Sequence, residues 1–293
     1  MDKEITFKSD LLNRRLLAEN LTKIIEKTNK MNVIAIDSSW GSGKTTFIKM
    51  WNNMLLEDGY KDKFRTLYFN AWKNDYLKDP LLALITEIDN ECKKNNKISA
   101  KVFNGIINNG KKIIKPVINV SLKVATGGVL GNDDLKFGDI QEKVYNDAVQ
   151  EKEKREEFIK YLEDNSKSDD YKTIFFIDEL DRCRPLFAIE LLETIKHLFK
   201  AKNIYFVIAI DKEQLSYSIS TLYGHGMDSN GYLRRFFDLE YKMPIVDKRK
   251  YITIKSNEIF RKYNNTIFFR NFLQELMIRD NFSFRDIDKT YKY

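Results

Sequence analysis

A chain of 293 residues is long for one compact domain and short for two large ones, which suits a core carrying a smaller appendage. Its 43% apolar and 13% aromatic content can bury a real core, so a disordered tail and a collagen-like chain are excluded. The 50 Lys and Arg exceed the 43 Asp and Glu by a formal +7 spread along the whole sequence, which argues against nucleic-acid binding as the main task.

In chain order, the first residues, Met1 to Lys8, lack the apolar run of a secretion signal, and no stretch approaches the roughly twenty uncharged apolar residues of a membrane span. Leu12, Leu16, Leu17, Leu21, Ile24 and Ile25 recur at helical spacing, which predicts a helix over 11–27 with one buried stripe. Met31 to Asp37 is a short, β-branched apolar run of the kind that forms a central parallel strand. From Thr45 the pattern turns helical again through Phe47, Ile48, Trp51 and Leu55. Four more strand-like runs follow at 65–70, 173–178, 204–211 and 237–243, and a helix is predicted over 186–200. Strands alternating with helices imply an α/β fold with a parallel sheet.

The alternation fails between about 93 and 138, which reads as an insertion. Its apolar positions Ile113, Ile114, Val117, Ile118, Val120, Leu122 and Val124 suit an amphipathic element, packed on the core or docked on a membrane surface or partner. Lys111, Lys112, Lys115 and Lys123 argue against full insertion into a bilayer. After Pro244 the pattern is helical and charged, with Ile252, Ile254, Ile259 and Phe260, then Phe272, Leu273, Leu276 and Met277. The expected division is therefore a core over 1–244 and a helical subdomain over 245–293. Two distant cysteines, Cys92 and Cys183, with only two histidines, make neither a disulfide framework nor a zinc set, which leaves reduced thiols and a cytoplasmic protein as the expectation.

The loop between the first strand and the second helix carries chemistry. Ser39-Trp40-Gly41-Ser42-Gly43-Lys44-Thr45-Thr46 ends in the Gly-Lys-Thr of a phosphate loop, where backbone N–H groups wrap oxygens and a helix N-terminus points at them. Gly43 lets the backbone approach, Lys44 bridges phosphate oxygens, and the Thr45 hydroxyl ligates Mg²⁺. Ser38 stands where the pattern has its first glycine, so the loop entry either uses ordinary dihedrals or carries modest strain. Further on, the apolar run from Thr173 ends in Asp178-Glu179. Asp178 is expected as the metal partner of Thr45, and Glu179 as the general base or water-orienting group. Asp211, at the end of another strand, reads equally as a γ-phosphate sensor or as a helix N-cap.

These residues resemble the KAP P-loop NTPases, relatives of the AAA+ and STAND proteins. The resemblance rests on Trp40-Gly41-Ser42-Gly43-Lys44-Thr45-Thr46-Phe47, Tyr68-Phe69-Asn70-Ala71-Trp72, Phe176-Ile177-Asp178-Glu179-Leu180-Asp181-Arg182-Cys183 and Phe206-Val207-Ile208-Ala209-Ile210-Asp211, in that order. It implies a three-layer αβα P-loop core whose parallel sheet has five strands, closed by a C-terminal helical lid. It implies ATP as substrate, Mg²⁺ as cofactor and a role for Asp181 and Arg182 in organising the acidic loop. Arg234 and Arg235 resemble an arginine finger acting on a neighbouring subunit, and Arg285 resembles a lid arginine reaching the γ-phosphate. Family members often carry transmembrane helices at the site of the 93–138 insertion and continue past the lid, so a chain stopping at Tyr293 reads as a minimal or truncated form. Signalling scaffolds and anti-phage defence are roles implied by analogy alone.

The leading expectation is an ATPase that self-associates as a homo-oligomer and acts through a protein partner or effector. The alternatives are a nucleotide-gated scaffold with little hydrolysis and a nucleic-acid motor or clamp.

Overall fold

The computed structural model describes residues 5–28, 31–57, 59–94, 103–112, 149, 152–164, 171–198, 201–244, 247–261 and 267–291. The five β-branched and aromatic runs form strands β1 (Val33–Asp37), β2 (Phe64–Asn70), β3 (Lys172–Asp178), β4 (Ile204–Ile210) and β5 (Leu239–Lys242). They pair in one all-parallel sheet in the order β2-β3-β4-β1-β5. A strand covered on both faces has no side to spare for polar groups. β4 is accordingly buried at every position, whereas edge strand β5 alternates half-buried with exposed residues.

Side chains alternate across a strand, so each strand feeds two cores. On one face Ile34, Ile36, Ile174, Phe176 and Val207 pack against α1 (Arg15–Lys27) and α2 (Lys44–Leu55), mainly through Ile25, Phe47 and Trp51. A buried hydrogen bond from Trp51 Nε1 to Thr22 Oγ1 (2.9 Å) ties those two helices together. The short helix α3 (Ala71–Asn74) follows β2 directly. On the other face Ala35, Phe69, Phe175, Phe206 and Ile208 lie under α4 (Pro80–Lys94), the helices α5 (103–112) and α6 (152–164), α7 (Pro185–Leu198), α8 (Lys212–Tyr223) and α9 (Ser229–Leu233). The result is the three-layer αβα arrangement.

Three further helices, α10 (Lys248–Phe260), α11 (Ile267–Arg279) and α12 (Phe284–Thr290), form a separate small core of Tyr251, Ile252, Met277, Phe284 and Ile287. Leu11 and Leu12 pack onto this core. That corrects the expected first helix, which starts at Arg15 because residues 11 and 12 belong to the loop that reaches the C-terminal helices. The buried stripe of α1 is Ala18, Leu21, Thr22 and Ile25, while Leu16 is 63% exposed. Phe272, one of the apolar positions of the C-terminal helical pattern, lies on α11 and is exposed.

Within the expected insertion, Phe103, Ile106 and Ile107 of α5 are buried in the core, and the positions from Ile113 to Val124 lie outside the described residues. Among the described residues no helix is long and apolar enough to cross a membrane.

Candidate phosphate-binding site

A parallel sheet delivers all its C-terminal strand ends to one edge, which is where such folds hold ligands. Residues 38–43 connect β1 to α2 along that edge. Gly41 (φ +75°) and Gly43 (φ +85°) take left-handed dihedrals that a side chain would resist. Ser38 does not. Its N–H donates to the Ile210 carbonyl (3.1 Å) as a continuation of the β1–β4 ladder, so ordinary extended backbone enters the loop and no glycine is required there. Lys44 opens α2 and is 8% exposed, with Nζ donating to the carbonyls of Ser38 and Ser39.

The register Asn70↔Asp178 sets the end of β2 beside the end of β3. Asp178 is 1% exposed, and its Oδ1 accepts from Thr45 Oγ1 (3.3 Å) while its Oδ2 accepts from the Tyr68 hydroxyl (2.7 Å). Hydroxyl and carboxylate oxygens are the donors that suit Mg²⁺, so the Thr45–Asp178 pair fits the expected metal. Glu179 sits in the left-handed region (φ 60°), an unusual place for a non-glycine residue that recurs at functional sites. Both its carboxylate oxygens are engaged: Oε2 accepts from Asn70 Nδ2 (2.9 Å), and Oε1 pairs with the Arg182 guanidinium (3.0 Å). Arg182 in turn lies over the half-exposed Trp72 ring, 5.6 Å from its centroid.

Asp181 and Asp211 fasten the loop from beneath. Asp181 Oδ2 accepts from Trp40 Nε1 (2.5 Å) and from the Asp211 N–H (3.1 Å). Asp211 accepts the Trp40 N–H on Oδ2 (3.0 Å) and caps α8 through Oδ1 and the Gln214 N–H (3.2 Å). Of the two readings of Asp211, helix capping is thus the one with observed contacts.

A cavity of about 750 Å³ opens over these groups. Its walls include Trp40, Gly41, Gly43, Lys44, Thr45, Thr46, Asp178, Glu179 and Arg182, and α12 adds Arg285. The structure therefore brings together most of the residues singled out in the sequence. Ser39 and Ser42 face a smaller cavity behind the loop, while Asp211, Arg234 and Arg235 are not among the lining residues of either. Arg234 and Arg235 are exposed after α9.

Two contributors were missed. Tyr68 stands two residues before Asn70 on β2, and that same-face offset is the sequence signal for a polar group there. Arg14 offered none, because it precedes its helix and stands 28 and 29 positions from its partners, the carbonyls of Ser42 (2.8 Å) and Gly43 (3.1 Å).

The electrostatics follow from burial. Burial lowers the Lys44 pKa, opposed by the surrounding carboxylates of Asp181, Asp211, Asp37 and Asp178. Burial raises that of Asp181, opposed by the Trp40 hydrogen bond and by Lys44. Burial and the neighbouring Asp178 charge push the Tyr68 hydroxyl up, which keeps it a proton donor to that carboxylate.

The model of the KAP family P-loop domain matches residues 14–279. No curated protein matches the sequence. Among solved structures, the Aeropyrum pernix ORC2 protein in ADPNP–ADP complexes is similar at 14% identity and a TM-score of 0.43, over 83% of this chain and 50% of that one. The replication initiator DnaA bound to AMPPCP and single-stranded DNA gives 14% and 0.43 over 99% and 64% of the two chains. Domain III of Thermotoga maritima DnaA gives 14% and 0.42 over 94% and 82%. The chain thus spans half the length of the ORC2 protein and less than two thirds of the first DnaA.

Proposed function

The chain belongs to the KAP family of P-loop domains, and we propose that it binds Mg-ATP at residues 39–46 and hydrolyses it. The observation that carries this reading is the meeting of Thr45 Oγ1 with Asp178 Oδ1 at 3.3 Å, with Glu179 on the same wall of a cavity that starts at the phosphate loop.

In this reading the loop N–H groups and the N-terminus of α2 hold the β- and γ-phosphates. Lys44 turns from the Ser38 and Ser39 carbonyls to phosphate oxygens. Thr45 and Asp178 would hold Mg²⁺, which when bound offsets charge on the β- and γ-oxygens. Tyr68 fixes the rotamer of Asp178 by donating to its second oxygen. Glu179 orients the attacking water and accepts its proton, with Asn70 setting the direction of the carboxylate. Arg285 reaches the γ-phosphate from α12, so residues 245–293 act as a lid on the 1–244 core. Arg234 and Arg235, exposed and outside the cavity, act in trans on the nucleotide of a second copy.

Phosphate release from Mg-ATP tests this. Lys44→Ala is expected to abolish binding and turnover together. Glu179→Gln is expected to bind normally and turn over about 10²- to 10³-fold more slowly. Wild-type turnover equal to that of Glu179→Gln would sink the hydrolytic reading.

One observation favours a second reading, a scaffold whose assembly is gated by nucleotide with slow hydrolysis: both Glu179 oxygens are already engaged. Size-exclusion profiles with and without Mg-ATP address it, and an unchanged profile counts against it.

A further inference from the structure

Arg14 is 6% exposed, yet no carboxylate pairs with its guanidinium among the described residues. Its side-chain hydrogen bonds go to two main-chain carbonyls, Ser42 and Gly43, and Nε is buried without a partner. The Asp10 carboxylate accepts the Arg14 main-chain N–H (2.5 Å) and, like Tyr251, reaches the guanidinium only through space, while burial lowers its pKa, although a guanidinium stays protonated throughout. Such a cation is costly to keep unless something balances it.

The two carbonyls it holds belong to the turn that must cradle phosphate. In a backbone nest, N–H groups converge on an anion only if the carbonyls between them point the other way. The Gly43 carbonyl already accepts the Phe47 N–H, the first bond of α2, so Arg14 grips the turn and the helix start at one atom. A methyl group built on Gly43 would stand 3.0 Å from the Arg14 guanidinium, which shows how closely the side chain backs the loop.

We propose that Arg14 is a positioning residue for the nucleotide: from the cavity wall beside the loop it holds the Ser42 and Gly43 carbonyls, and phosphates in the nest add the close counter-charge that Asp10 supplies only at a distance. This rests on the proposed Mg-ATP site. It makes Arg14 dispensable for folding and needed for affinity, the reverse of an ordinary buried hydrogen-bonding residue.

The test uses the full chain, with Mg-ATP binding by the wild type measured first. Absence of that binding removes the underlying reading before any variant is made, so the two failures are distinguishable. Arg14→Met, which keeps bulk without charge, is expected to melt at or above the wild-type temperature without nucleotide. Its KM is expected to rise about 10- to 100-fold, with kcat changed by less than about threefold, because two charge-assisted bonds are lost in ground and transition state alike. The upward shift of melting temperature caused by Mg-ATP should shrink in parallel. Millimolar guanidinium added to Arg14→Ala is expected to restore part of the affinity. A KM equal to wild type in Arg14→Met overturns the proposal. So does failure of that variant to fold, because Arg14 would then be a structural strut.

Discussion

The floor of the cavity and its proposed lid are built to different standards. The floor consists of strand ends locked by a parallel ladder, and its polar side chains, Lys44, Asp178, Asp181 and Asp211, are all buried and hydrogen-bonded. The helices proposed as the lid, α10, α11 and α12, share five buried apolar side chains and leave Ile267, Phe268, Phe269 and Phe272 exposed, Phe268 at 86%. Groups that must meet phosphate oxygens within tenths of an ångström belong on the stiff element, and groups that must admit and release a ligand belong on the element that opens cheaply.

The strongest test of that contrast is Ile287→Ala. Ile287 is fully buried in the small lid core, and large-to-small changes of this kind cost about 2–5 kcal/mol. If lid and floor open separately, hydrogen exchange should accelerate through α10–α12 while the amides of β1, β3 and β4 keep their protection. Equal loss of protection in the sheet would mean that the two regions unfold as one unit, and the comparison would fail.

A smaller effect is expected at the seam. Gly41 belongs to the floor and Ser283 caps the first turn of α12 through a capping box with Asp286. A methyl group on Gly41 would lie 2.5 Å from Ser283 Cβ and would have to adopt φ +75°. Strain of that kind costs about 1–2 kcal/mol per residue, so Gly41→Ala is expected to weaken Mg-ATP binding roughly tenfold. Adding Ser283→Gly relieves the clash and leaves the dihedral strain, so the double variant should recover part of the affinity. Full recovery would assign the whole effect to the lid contact; none would assign it to the loop.

The same division governs what was legible in the chain. The five strands and helices α1, α2 and α7 follow from apolar pattern, most sharply at β4, which is buried at every position and tolerates little else, whereas α5 falls in the stretch where the alternation fails. The Lys44, Thr45, Asp178 and Glu179 group was readable because a phosphate loop and a strand-end acid pair need fixed residue types at fixed places. Asp211 was ambiguous for a physical reason, since an acid at a strand-to-helix turn serves a cap and a ligand equally well, and here its carboxylate caps α8 while holding the Trp40 N–H. Arg14 was illegible because long-range side-chain contacts with backbone carbonyls leave no pattern in either segment. Leu16 misled because helical spacing shows that a stripe exists without fixing which neighbouring residues border it.

The smallest expected effect concerns the charge on Lys44, and it separates the needs of the floor from those of the ligand. Burial lowers the folded-state pKa of Lys44 below its ordinary 10.5. The unfolded chain then binds the proton more tightly than the folded one, so the buried cation costs stability below the folded pKa, and the cost fades as pH rises through it. Ligand binding runs the other way, because only the cation attracts phosphate, and kcat/KM reports the pKa of the ligand-free protein. On the approach to pH 10.5 from below, kcat/KM for Mg-ATP should fall while the melting temperature measured without nucleotide gains relative to Lys44→Met. That variant should melt above wild type at neutral pH and converge with it across the alkaline window. A kcat/KM limb at or above the ordinary lysine value, or a constant melting difference between the two proteins, would show that the floor does not hold Lys44 at the cost its burial implies.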